Sequence, residues 1–346
     1  MKILYAIQGT GNGHLSRARE IITILEKMGE VDILVSGTQS DVELTQAITY
    51  RLKGMSFVFG KNGGIDLPAT FLQLSTKEMM KDIADLPVEK YQLVLNDFEP
   101  VSAWACQKKK VPCISLSHQC AVLNKHAPKP TRKDIIGKSV LRFYAPCTEN
   151  YGFHFNLYDK NIFTPVIRSE VRMLTPTDKG HYTVYLPAYE DGKIIKALQN
   201  FEELNWHVFS KHAKRTYVSG NVFIQPIVNS EFLESMSSAS GVLCGAGFET
   251  PAEALFLKKK LAVIPMKMQY EQQCNAAALK QMGVPVFKSL KSKHHEKIGD
   301  WLKSKKIIKV DYPDMTEDII ERIIKHSALP NSISKKGQRL KLEKIA

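Results

Sequence analysis

The stretch of sequence that decides the fold is LCGAGFETPAEALFLKKKLAVIPMKMQYEQQCNAAALKQMG, residues 243–283. An apolar strand pattern ends in the small-residue turn Gly245-Ala246-Gly247, and a helical pattern begins almost at once. A turn of this kind points unpaired backbone N–H groups, and the positive end of a helix dipole, at whatever binds there. It therefore indicates an anion site, and a diphosphate suits it.

The same alternation of strand and helix patterns continues on both sides of this stretch. Over the whole chain, strand patterns lie at 2–8, 31–35, 92–96, 112–116, 181–186, 206–210, 222–227, 242–244 and 261–264. The intervening helical patterns lie at 14–28, 101–109, 193–201, 230–239, 249–257 and 271–282. Strands that alternate with helices predict parallel sheets with helices on their faces.

The chain is long enough for two domains of this α/β type. Between residues 151 and 178 the periodicity weakens and Pro165 and Pro176 appear, so we place the linker there. We predict an N-terminal domain over 1–164 and a C-terminal domain over 165–328. Ligands collect at the carboxyl ends of strands in open α/β sheets, so two facing domains would form a cleft lined by such loops.

The glycine turn after the first strand, GTGNGH at residues 9–14, does not fit a dinucleotide site. The dinucleotide fingerprint needs a third glycine where this chain has His14, and an acidic residue after the second strand, which ends Val35-Ser36-Gly37. The turn instead delivers His14 to the start of a helix, where an imidazole faces a cleft. A histidine that only caps or hydrogen-bonds locally is the alternative.

The residues after strand 242–244 carry a specific resemblance. In order they are Gly247, Thr250, Glu253, Pro265, Glu271, Gln272, Asn275 and Ala276. Their spacing resembles the donor-binding region of glycosyltransferase family 28 and its UDP-glycosyltransferase relatives, which include the lipid-II N-acetylglucosaminyltransferase of peptidoglycan synthesis. The resemblance implies the GT-B fold, in which two Rossmann-like domains face one another. Three lysines at 258–260 depart from the glycine usual there.

The resemblance also implies a set of donor-binding residues. Glu253 would bind the ribose, Glu271 and Gln272 the transferred sugar, and backbone groups near Ile227 the nucleobase. The remaining implied donor residues are the glycine-loop and diphosphate-turn positions Gly11, Gly13, Gly245, Ala246, Gly247 and Thr250.

The catalytic residues implied by the resemblance are His14 and Asp97. In UDP-glycosyltransferases a histidine after the first glycine loop is the base, oriented by an aspartate in a sequence such as Asn96-Asp97-Phe98. Asp97 could instead cap the turn that follows its strand. His118, which follows the strand at 112–116, is a further candidate for contact with donor or acceptor, or an ordinary loop histidine.

The function expected from these residues is inverting transfer of a sugar from a nucleotide-diphosphate sugar, with UDP-sugar preferred, to a hydroxyl acceptor. No Asp-x-Asp pair follows a strand, so we expect no metal and no cofactor. Two alternatives stay open: a sugar-nucleotide 2-epimerase of the same fold, and a non-catalytic nucleotide-sugar-binding subunit. The acceptor, including a lipid-linked or cell-envelope glycan, is not identified by any motif.

Net charge is +13, and residues 101–150 carry much of it. A solvated basic face explains such a patch, and so does peripheral contact with an anionic membrane surface. Nucleic acid is not expected as a partner, because no nucleic-acid-binding motif accompanies the charge.

The N-terminus lacks a signal-peptide pattern and the six cysteines form no CxxC pair, so we expect a cytoplasmic protein. The basic tail 329–346 is expected to pack back on the first domain.

Overall fold

The computed structural model describes residues 1–10, 12–37, 44–54 and 77–327 of the 346-residue chain. Gly11 and the tail 329–346 lie outside the described residues, so the predictions made for them stay predictions. Within the described ranges, no helix combines the length and the apolar character needed to cross a membrane.

The first sheet consists of parallel strands from the first half of the chain. Its strands are β1 (Lys2–Gln8), β2 (Glu30–Ser36), β3 (Tyr50–Leu52), β4 (Leu93–Asp97), β5 (Ile114–Ser117), β6 (Glu149–Phe153) and β7 (Ile162–Phe163). They lie in the order β3-β2-β1-β4-β5-β6-β7. The order changes direction beside β1 and β4, which is where open α/β sheets open a crevice for ligands.

The second sheet is formed by strands from the second half. Its strands are β8 (His181–Tyr185), β9 (Asn205–Ser210), β10 (Tyr217–Ser219), β11 (Val222–Pro226), β12 (Gly241–Gly245) and β13 (Lys260–Ile264). Their order is β10-β11-β9-β8-β12-β13, and β10 alone of these strands runs antiparallel to its neighbour. The equivalent change of direction lies between β8 and β12.

Helices cover the sheets and connect the strands. The described α-helices are α1 (Asn12–Met28), α2 (Lys77–Asp85), α3 (Pro100–Lys109), α4 (His118–Leu123), α5 (Ile135–Tyr144), α6 (Ser169–Arg172), α7 (Asp191–Leu198), α8 (Asn229–Ser238), α9 (Glu249–Phe256), α10 (Tyr270–Gln281), α11 (His295–Lys303) and α12 (Thr316–Ser327). On α1, the apolar spacing of Ala18, Ile21, Ile22 and Leu25 places these four side chains in the core against β1.

Strand register brings two predicted site residues to one edge of the first sheet. Ile7 of β1 pairs with Asp97 of β4, so Asp97 lies beside the strand end from which the chain turns toward His14. In the second sheet, Gly245 of β12 pairs with Ile264 of β13 at the same kind of edge. The fold therefore presents the His14 turn and the Gly245 turn at the carboxyl ends of their sheets.

The last described helix, α12, crosses back to the first domain. Ile319, Ile320 and Ile323 are buried in the same core cluster as the apolar face of α1, and Arg322 donates to Asn161 at 3.2 Å. The predicted second-domain range includes this helix, which packs on α1 of the first domain.

The α/β architecture with two mainly parallel sheets confirms the predicted fold class. The structure differs from the prediction where strands are short. The interval 151–178, predicted as a linker, contains part of β6 and all of β7, which extend the first sheet. Such strands are too short to show the alternation by which strands are recognised in a sequence.

Candidate active site

A cleft of about 1200 Å³ lies between the carboxyl ends of the two sheets. The predicted site residues that line it are Gly13, His14, His118, Ile227, Gly245, Gly247, Thr250, Glu253, Glu271 and Gln272. Asp97 is fully buried behind His14, and Ala246 is fully buried behind the turn, where its carbonyl oxygen accepts from Asn275 at 3.1 Å. The fold thus brings together residues from both ends of the chain.

His14 and Asp97 form a hydrogen-bonded pair on the first-domain side of the cleft. Nδ1 of His14 lies 2.9 Å from Oδ1 of Asp97. An ionised carboxylate only accepts, so this bond places the proton on Nδ1 and leaves the lone pair on Nε2. Asp97 does not cap the next helix: Glu99 does so, by accepting from the backbone N–H groups of Val101 and Ser102.

Arg17 holds the Asp97 carboxylate from the other side. Its Nη2 donates to both oxygens of Asp97, at 2.8 and 2.7 Å. Burial raises the pKa of the Asp97 carboxyl, but Arg17 and His14 more than offset it, and the pKa lies below its usual range. Asp97 is therefore an anion that can orient the imidazole and stabilise its protonated form.

Arg17 also bridges to the second domain. Its Nη1 donates to Oε1 of Glu249, the first residue of α9. A Cβ added to Gly13 would lie 3.0 Å from Cγ of Glu249, so the glycine gives this side chain its room. Sequence analysis missed Arg17 and Glu249. The available signal for Arg17 was its place three positions after His14, on the same face of a helix.

The turn between β12 and α9 has the geometry of an anion site. No side chain caps the start of α9, and Pro251 in its first turn has no N–H. A Cβ added to Gly247 would meet no atom within 4 Å, so open cleft space lies against the backbone there. The side-chain oxygen of Gln272 lies beside the Gly245 end of this turn. It accepts a hydrogen bond from the backbone N–H of Met266 at 2.9 Å.

Glu253 lies in the cleft under an arginine that sequence analysis did not identify. Nε and Nη2 of Arg168 donate to its two carboxylate oxygens at 2.6 and 2.9 Å. Arg168 comes from the segment that joins the domains, just before α6. Each carboxylate oxygen retains a second lone pair, so the predicted ribose contact is compatible with this ion pair.

His118 packs between the domains. Its ring nitrogens lie 2.8 Å from the carbonyl oxygen of Phe153 and 2.7 Å from Oδ1 of Asn275, and its ring stacks on Phe248 at 3.9 Å. Burial lowers its pKa. With both ring nitrogens in contact with protein atoms, His118 has the surroundings of an interdomain packing residue, and its predicted contact with donor or acceptor stays a prediction.

The neighbouring Gln119, which sequence analysis missed, links the catalytic pair to the second domain. Its Nε2 donates to Oε2 of Glu271 at 3.0 Å and lies 3.3 Å from Nε2 of His14. This amide therefore stands between the predicted base and a predicted sugar-binding carboxylate. Within the part of the chain that the structure describes, no group of three or more His, Cys, Asp or Glu side chains could hold a metal ion.

Solved structures with the same architecture include glycosyltransferases from bacteria and plants. MurG of Acinetobacter baumannii is 13% identical, with 94% of this chain and 99% of that chain covered and a TM-score of 0.57. SnogD of Streptomyces nogalater is 11% identical, with coverage of 94% and 99% and a TM-score of 0.53. UGT2 of Phytolacca americana, complexed with UDP-2fluoro-glucose and pterostilbene, is 11% identical, with coverage of 94% and 94% and a TM-score of 0.59.

These likenesses confirm the GT-B fold and the predicted resemblance to UDP-glycosyltransferases. No curated protein sequence gives a significant match to the chain. The sequence profile of glycosyl transferase family 1, however, matches residues 1–305. This match covers the His14 loop, Asp97 and the turn at Gly245–Thr250. The chain therefore belongs to glycosyl transferase family 1, and it is a sugar-transferring enzyme of the GT-B fold.

Proposed function

We propose that the enzyme transfers a sugar from a UDP-sugar to a hydroxyl acceptor, with inversion and without a metal ion. The observation that carries this proposal is the position of His14, which faces the same cleft as the anion-binding turn at 245–250 and is held there by the buried Asp97. A base in one domain and a donor turn in the other suit direct displacement at a sugar bound between them.

The base step follows from the tautomer of His14. The acceptor hydroxyl gives its proton to Nε2 while its oxygen bonds to the anomeric carbon, and Asp97 stabilises the imidazolium that forms. The bond from the anomeric carbon to the diphosphate oxygen breaks at the same time, so UDP leaves with the electron pair. Backbone N–H groups of the turn and the dipole of α9 stabilise that charge.

The surroundings of the cleft carboxylates favour transfer over 2-epimerisation. An epimerase would need several acidic groups to act on the sugar carbons. Here Glu249 and Glu253 are each held by an arginine, and Glu271 accepts from Gln119. The intact His14–Asp97 pair likewise favours an enzyme over a binding subunit.

Helix α5 supports peripheral contact with an anionic membrane surface on the cytoplasmic side. Its inner face buries Val140, Leu141 and Tyr144, yet its outer face exposes Ile135, Ile136 and Phe143 at 75%, 60% and 62%. Four exposed basic residues lie near these apolar residues in the sequence: Arg132, Lys133, Lys138 and Arg142. Exposed apolar side chains among basic ones suit an interface with anionic headgroups. Ile135 and Ile136 also line the cleft, so an amphiphilic acceptor could enter from the bilayer.

Donor binding is tested by calorimetry with UDP, GDP, dTDP and CDP, with UDP expected to bind most tightly. The variant Gly247→Ala places a methyl group in the open space of the turn, where the diphosphate of the nucleotide would lie. In the complex this methyl would crowd the diphosphate. Such crowding costs about 1–3 kcal/mol, which is roughly a tenfold to hundredfold loss of affinity. The matched control is Gly192→Ala, since Gly192 also has open space around it but lies outside the cleft. Equal affinities of the two variants would contradict the donor site.

Removal of the base is tested with His14→Ala. We expect the rate of UDP release from a UDP-sugar, with added acceptor alcohols, to fall by about 10²–10⁴ because general-base help is lost. UDP affinity should be unchanged, since His14 belongs to the acceptor side. The exposed His212 provides the control His212→Ala, which should keep the full rate. A His14→Ala enzyme as fast as the control would refute the assigned base.

Membrane contact is tested by sedimentation with phosphatidylglycerol and phosphatidylcholine vesicles. The protein should bind the anionic vesicles, and the triple variant Ile135→Ser, Ile136→Ser, Phe143→Ser should bind about tenfold more weakly or worse, because apolar burial is lost. Val218→Ser, which changes an equally exposed apolar residue of β10, should bind normally. The membrane proposal fails if the triple variant sediments like the wild type.

A further inference from the structure

Glu249 occupies a place that the proposed donor would need. It is the first residue of α9, so its backbone belongs to the turn that would hold the diphosphate. Its carboxylate crosses the cleft to Arg17 of the first domain and lies over Gly13. A carboxylate on an arginine, beside a helix N-terminus, has the same kind of partners that a phosphate takes.

The two ends of this contact differ in their freedom to move. Arg17 is 2% exposed and is held in place by both oxygens of Asp97. The Glu249 side chain is 20% exposed and borders the open cleft. Among the described residues, Nε of Arg17 is buried without a hydrogen-bond partner, so the guanidinium has a donor to spare. The arginine is thus fixed, and the glutamate is the partner that can be exchanged.

The charges make that exchange necessary. One guanidinium now faces two carboxylates, Asp97 and Glu249. A diphosphate at the turn would add at least two more negative charges beside this guanidinium, in a buried place where electrostatic repulsion is poorly screened. Arg168, which also lines the cleft, is already paired with Glu253. Binding is therefore favoured when Glu249 loses its charge or its place.

We propose that the Glu249 carboxylate occupies the position of the donor diphosphate in the free enzyme. Arg17 then binds the diphosphate once a proton from solvent has neutralised Glu249. This inference rests on the proposed donor site and adds to it a phosphate ligand from the first domain. It also makes donor binding sensitive to pH, because proton uptake by Glu249 accompanies it.

The groups that face Glu249 determine its titration. They are Arg17 and His14 of α1, Asp97 of β4, Tyr5 of β1, Glu253 of its own helix and Arg168 of the linker. Burial, together with Glu253 and Asp97, outweighs Arg17 and His14 and raises the pKa of Glu249 to about 7. In the complex the diphosphate raises this pKa further. The neutral carboxyl is therefore already present below pH 7, and the need for a proton weakens binding as the pH rises above it.

The test is the affinity for UDP of the wild type and of Glu249→Gln at pH 6, 7 and 8, measured by calorimetry. The glutamine has the same shape but no charge to neutralise, so it should bind UDP more tightly. With a free-protein pKa of about 7, the ratio of the two affinities should be about 1 at pH 6, about 2 at pH 7 and about 10 at pH 8. The titration of UDP itself cancels, because both proteins meet the same ligand.

The control is Glu190→Gln, which removes an exposed carboxylate of the second domain and should leave the pH profile unchanged. If Glu249 only fastens the domains together, Glu249→Gln will bind UDP with equal or lower affinity at pH 8, and the inference is overturned while the donor site stands. If neither protein binds UDP at any pH, the proposed function falls and the inference with it. Thermal unfolding of both proteins without ligand verifies that the variant is folded.

Discussion

The structure depends on one buried guanidinium. Arg17 is enclosed between Asp97 of its own domain and Glu249 of the other. Arg17 and Glu249 line the cleft, and Asp97 is buried behind it. A buried charge is tolerated only when it is paired, and removal of one partner of such a pair costs about 3–5 kcal/mol. Arg17 therefore ties the position of the aspartate that orients His14 to the position of the turn that is proposed to hold the donor.

This arrangement explains why the site needs two domains. Each sheet supplies one strand–turn–helix unit at its carboxyl edge, and neither unit contains both a base and an anion site. The His14–Asp97 pair becomes useful only opposite the turn at 245–250, and the ion pairs Arg17–Glu249 and Arg168–Glu253 link the elements around the cleft. The return of α12 to the first domain adds a second connection between the halves.

Sequence analysis predicted the parts of the site that local patterns determine. The turns, His14 and the Glu253 motif lie within single strand–turn–helix units, so spacing and resemblance were enough to place them in the cleft. Arg17 and Glu249 are 232 positions apart, and nothing local in either one indicates the other. Arg168 and Gln119 were missed for the same reason, since Glu253 lies 85 positions from Arg168 and Glu271 lies 152 positions from Gln119. The tail 329–346 and Gly11 stay predictions.

A crystal structure of the enzyme with UDP bound tests whether donor and base belong to opposite domains. We expect the diphosphate to lie against the backbone N–H groups of residues 247–250, with its terminal phosphate toward the side of the cleft that holds His14. A diphosphate bound away from residues 247–250, or a nucleotide outside the cleft, would contradict the assignment of donor and base to opposite domains.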